Sequence, residues 1–147
     1  MKQFRTIPLM MAAMAMTLGA GSALAGDVTV TITGVQARGG DLLAGLQTSA
    51  QFLKHEGSYG EIIANPTAGT HTLTLHDVAA GDYSISVLHD VDGDRQMKMA
   101  NNRPAEGWAM LHGETLRAPP TFDQVKFAVP ASGAVAVSVA MDYPPGQ

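Results

Sequence analysis

Asp90, Asp92 and Asp94 stand at i, i+2 and i+4 directly after a strand-like run from Asp82 to His89. Three carboxylates this close repel one another unless a cation or several backbone N–H groups hold them. Calcium takes about six to eight oxygens, and alternating Asp on a loop supplies several of them, with Gly93 permitting the bend. Only three side chains are on offer, so backbone, water or a distant carboxylate such as Glu106 would have to complete a calcium site. The competing arrangement is a turn whose Asp side chains accept backbone N–H groups and pair with Arg95 and Lys98. The loop lacks the terminal bidentate Glu of calcium loops, which favours the turn.

A softer set follows. Met97, Met99, Met110 and His112 surround Trp108, with His89 nearby in sequence. Thioethers and imidazoles suit Cu(I), and an indole face attracts cations. Methionine is also ordinary packing material under an irregular loop. A third group is Arg103, Pro104, Glu106 and Trp108 with Pro119, Pro120 and Phe122. It suits the rim of a site for a small ligand or a protein partner. It equally suits a loop pinned by two aromatics, with Arg103 and Glu106 paired locally. No catalytic constellation stands out. Cysteine is absent, Ser58 lies outside a Gly-x-Ser-x-Gly frame, and no two His residues have metal-ligand spacing. His89 and Asp90, as strand neighbours, should face opposite ways. A hydrolase is expected to use a titratable pair in a cleft, His89 or His112 with Glu106.

The elements that position these residues begin after an address. Lys2 and Arg5, an apolar stretch from Leu9 to Leu18, and Ala23-Leu24-Ala25 read as a signal peptide over residues 1–25, cut before Gly26. Export follows, to the periplasm or beyond it. Residues 26–143 are expected to form one domain and 144–147 a tail. No later stretch is long enough to span a membrane. The whole chain has nine Lys and Arg against 13 Asp and Glu, and two of the nine lie in the leader. An acidic domain without a basic cluster argues against nucleic acid as a partner. An exported domain with no cysteine depends on its core alone. A monomer is the default expectation.

Asp27 to Thr33 alternates Val or Ile with Thr, as a half-buried strand does. Arg38-Gly39-Gly40-Asp41 is a tight turn signal before a second strand at Leu42 to Leu46. One helical turn capped by Ser49 and a short strand at Glu61 to Ile63 precede further strands at Thr70 to Leu75, Tyr83 to Leu88, Val125 to Val129 and Ala134 to Met141. Residues 77–82 read as a turn, and residues 90–121 as one long loop without a sustained period. The result is an all-β fold: a single antiparallel β-sandwich of about seven strands, prealbumin-like or Ig-like. Its expected core is Val28, Val30, Ile32, Leu43, Leu73, Leu75, Tyr83, Ile85, Val87, Phe127, Val129, Val135, Val137 and Val139.

Four segments occur in an order that resembles a known family: Thr74 to Tyr83, Leu88 to Asp94, Arg103 to Trp108, and Ala118 to Asp123. The chain is similar, from Val28 to about Met141, to the exported bacterial family numbered 2141 among domains of unknown function. The resemblance implies a small seven-stranded sandwich like those of prealbumin and carboxypeptidase-regulatory domains. It implies no established activity. Members similar to this chain carry Gly and Asp where it has Arg95 and Lys98, two cations able to neutralise the acidic loop without metal. The combined expectation is a non-enzymatic binding or structural domain. Its surface is the end carrying residues 89–122, with calcium as the candidate ion at Asp90, Asp92 and Asp94. A soft-metal carrier and a small-ligand hydrolase are the alternatives.

Overall fold

A computed structural model describes residues 25–145. The leader expected at residues 1–25 lies outside the described residues except for Ala25. Two β-sheets face each other across one core. The smaller has the strand order β10-β1-β4, with β1 at Ala25–Val35, β4 at Gly69–Ala79 and β10 at Ala134–Ala140. The larger runs β3-β2-β5-β8, with β2 at Asp41–Gln47, β3 at Tyr59–Ala64, β5 at Gly81–Asp90 and β8 at Gly107–Met110. A further strand, β9 (Lys126–Val129), pairs with the first half of β5. The fold is the expected all-β sandwich. Among the described residues its pairings are antiparallel except one: β1 and β10 run parallel, Val28 beside Val135 through Thr33 beside Ala140. Alternation fixes which face of a strand is buried but not its direction, so nothing in the sequence marked that pair.

The period-2 pattern of β1 places Val28, Val30 and Ile32 fully inside. Leu73, Leu75 and Val78 of β4 and Tyr83, Ile85 and Val87 of β5 meet them, and Val139 closes the far side. Phe127, Val135 and Val137 pack against this core but are only partly buried, because β9 and β10 are outer strands. The phase of β2 is opposite to expectation. Leu42, Ala44 and Leu46 point inward, while Leu43 faces out. A Leu-Leu pair leaves the phase open until the following Ala44 and Leu46 decide it. Leu43 joins a cross-strand apolar row on the outer face, between Ile62 and Leu88, with Trp108 beyond.

The segment from Thr48 to Lys54 forms turns and not the expected helical turn. The Gln51 side chain accepts from the Thr48 N–H at 3.1 Å and the Ser58 hydroxyl at 2.8 Å. Residues 77–82 are largely strand, with only Ala80 between β4 and β5. The stretch 90–121 also holds more structure than expected. It contains β6 (Met99–Ala100), β7 (Arg103–Pro104), β8 and a 3-10 turn at Gly113–Thr115. Pieces of two to four residues are too short to show a period. Among the described residues the one α-helical turn is Phe122–Val125, where Thr121 and Gln124 form a capping box. No helix among the described residues is long and apolar enough to cross a membrane.

Candidate functional site: the acidic rim

Strand β5 delivers Asp90 to the end of the sandwich with its carboxylate turned into the following loop. Asp90 is only 2% exposed. Its Oδ1 accepts the Gly93 N–H at 2.9 Å and its Oδ2 the Arg95 N–H at 2.9 Å. Asp92 and Asp94 each accept the N–H two residues on, from Asp94 at 3.3 Å and Gln96 at 2.9 Å. These are the turns that Asp side chains make with their own backbone. Gly93 and Arg95 both take positive φ, 79° and 57°, to close the loop. The three carboxylates each offer an oxygen within 4.8 Å of the others. The Lys98 ammonium pairs with Asp92 Oδ2 and lies 3.6 Å from Asp94 Oδ2. Of the two cations expected beside the cluster, Lys98 neutralises it. Arg95 contributes its backbone N–H and makes no ion pair among the described residues.

Glu106 is buried beside the loop, and its Oε2 accepts the Lys98 N–H at 3.3 Å. The Lys98 carbonyl accepts the Ala105 N–H at 2.7 Å, so the loop is stitched to the strand leading into β8. Arg103 is exposed on β7 and forms no ion pair with Glu106. A shallow depression of about 670 Å³ opens here, between Gln36 and Arg38 on one side and Val91, Asp92, Lys98, Ala105 and Glu106 on the other.

His89 faces away from Asp90, as strand alternation requires, and is fully buried. Its Nε2 lies 2.8 Å from the Gly39 carbonyl, and its Nδ1 lies 2.7 Å from the Tyr143 hydroxyl. A carbonyl only accepts, so in the neutral ring Nε2 carries the proton and Nδ1 accepts from Tyr143. The Tyr143 oxygen in turn accepts the Gln36 N–H at 3.1 Å. Burial pushes the Tyr143 phenol above its ordinary pKa, opposed by the Gln36 N–H and the Arg38 charge. Arg38 lies 4.7 Å over the Tyr143 ring, and its Nε donates to Gln36 Oε1 at 2.7 Å. Tyr143 reaches this place because Trp108 and Asp142 exchange backbone hydrogen bonds of 2.9 and 2.7 Å. Gln36 and Tyr143 did not stand out in the sequence, and Arg38 and Gly39 did so only as part of a turn signal. The available signals were a lone Arg before Gly-Gly and an aromatic ahead of Pro144-Pro145.

The remaining expected residues are distributed elsewhere. Pro104 is half-buried on β7. Trp108 covers Gly113, where an added Cβ would come within 3.3 Å of the indole. Phe122 meets Phe52 edge-to-face at 5.7 Å. Pro119 and His112 line a second depression of about 460 Å³, separate from that of Glu106. Met97 is half-buried and Met99 is 59% exposed on β6, which pairs with β7 in a separate two-stranded sheet, while Met110 is buried on β8 in the larger sheet.

No curated protein and no solved structure is significantly similar to the chain. A family model does match it, over residues 30–138, and its description is an uncharacterized protein conserved in bacteria. That match spans most of the chain and both sheets, and the protein therefore belongs to this bacterial family, DUF2141.

Proposed function

We propose that the protein is an exported, periplasmic, non-enzymatic binding or structural domain whose working surface is the sandwich end built on Asp90. The observation that carries this reading is the capture of two loop amides by one buried carboxylate. A rim fixed in advance spares a ligand the cost of ordering it. The commitment of both His89 nitrogens speaks against His89 as a general base. Export is supported by the leader-like start of the sequence. A cut before Gly26 would spare all of β1 except Ala25.

Calcium enters as an exchange partner of Lys98. The ammonium sits between Asp92 and Asp94, where the alternating carboxylates would otherwise face a metal ion. Melting the chelator-treated protein with and without millimolar calcium tests the exchange. Wild type should rise by a degree or two, and Lys98→Met, which removes the internal cation, by several degrees. Flat responses from both proteins would refute the exchange.

A further inference from the structure

Arg38 is the cation of the rim that its surroundings hold in place but do not neutralise. Its Nε is spent on Gln36 at 2.7 Å, and the guanidinium lies 4.7 Å over the Tyr143 ring. Among the described residues it forms no ion pair and no hydrogen bond through its terminal nitrogens. Most unpaired arginines of a surface swing freely in water. This one is half-buried, and it lines the depression that also takes in Val91, Lys98, Ala105 and Glu106. A guanidinium already fixed by stacking and by one hydrogen bond loses little freedom when its outer fork meets a planar, two-oxygen anion.

The other lining groups narrow the anion. Lys98 is committed to Asp92 and Asp94, so among the lining groups Arg38 alone keeps an uncommitted positive charge for a ligand. The carboxylates of Asp92 and Glu106 border the same space and disfavour a second negative charge. Val91 keeps 45% of its surface exposed there, and Ala105 adds a second apolar contact. We propose that this depression seats an aliphatic monocarboxylate, its carboxylate on the outer nitrogens of Arg38 and its apolar body against Val91. The carboxylate would belong to a small free acid or to the C-terminus of a peptide. The inference rests on the reading of this rim as a binding surface and does not depend on the calcium exchange.

Titration with sodium butyrate at constant ionic strength, followed by amide chemical shifts, tests it. Saturating shifts at Gln36, Arg38, Val91 and Ala105 are expected, with a dissociation constant on the order of 1 mM, as suits a shallow site. Arg38→Gln should weaken binding roughly tenfold or more while leaving the other resonances in place. Arg38→Lys keeps the charge without the fork and should also weaken it, which covers the case of a poorly folded glutamine variant. Inorganic phosphate should bind more weakly than butyrate. A short peptide ending in valine, compared with its amidated form, separates the two sources: tighter binding of the free-acid peptide than of butyrate assigns the site to chain ends, and the reverse assigns it to small acids. Absence of saturation up to about 50 mM butyrate, retention of affinity in both arginine variants, or a preference for phosphate would each overturn the proposal. A calcium-dependent rise in melting temperature without butyrate binding would refute this seat alone. Butyrate binding without a calcium effect would refute only the cation exchange.

Discussion

Gly40 meets two demands at once. Its φ is +66°, and a Cβ there would come within 2.1 Å of the Asp90 carbonyl oxygen and 2.6 Å of Val91 Cα. Its neighbour Gly39 has φ +73° but open space around the missing Cβ. Gly39→Ala should therefore cost only the left-handed penalty, about 1 kcal/mol. Gly40→Ala should cost about 3 kcal/mol or more, because backbone must move away from the root of the acidic loop. Urea denaturation of the two variants measures the contrast, and equal losses would contradict the packing described. At this scale the sequence was partly legible. The Asp spacing and Gly93 announced a tight acidic loop, and the charge of Lys98 announced its neutralisation. The partnership of His89 with Tyr143 was not legible, because 54 residues separate them and neither sits in a local pattern.

Among the elements, the segment after β10 has the most consequence for the site. It is held to β8 through Trp108 and Asp142, and it lays Tyr143 over His89. Gly107 makes room for it, since a Cβ there would lie 2.3 Å from the Tyr143 ring. The raised Tyr143 pKa has a stability consequence. The unfolded phenol ionises first, near its ordinary value of about 10, so stability is complete below that pH and falls as pH rises through the higher folded value. Tyr83 is raised in the same sense, by burial first and then by Tyr59. Denaturation between about pH 8 and pH 11 should thus show an alkaline decline. Tyr143→Phe should flatten that decline in part, leaving the Tyr83 share, and should lower stability at neutral pH by about 1 kcal/mol through the lost His89 bond. An unchanged alkaline slope in the variant would contradict this assignment. Elements with clean alternation, such as β1 and β10, could be read from the sequence. The short β8 could not, and β8 is the strand that receives this segment.

For the molecule as a whole, the first and last long strands lie side by side. β1 pairs with β10 and with β4, and β5 pairs with β2, β8 and β9. The acidic loop leaves directly from the end of β5, the strand with most partners. A loop fastened there by a buried carboxylate should open only when the sandwich end opens, unlike a loop that hangs from an edge. Composition and alternation were enough to place the chain among all-β sandwiches. They could not show that β1 and β10 pair in parallel, since pairing direction is a property of the whole topology and not of any one strand. The measurement closest to the central claim is amide hydrogen exchange at Gly93 and Arg95 in chelator-treated protein. With Asp90 accepting both N–H groups, these two amides should exchange roughly a hundredfold or more slowly than an open chain, approaching the protection of β5. Exchange at open-chain rates, with β5 still protected, would contradict the account.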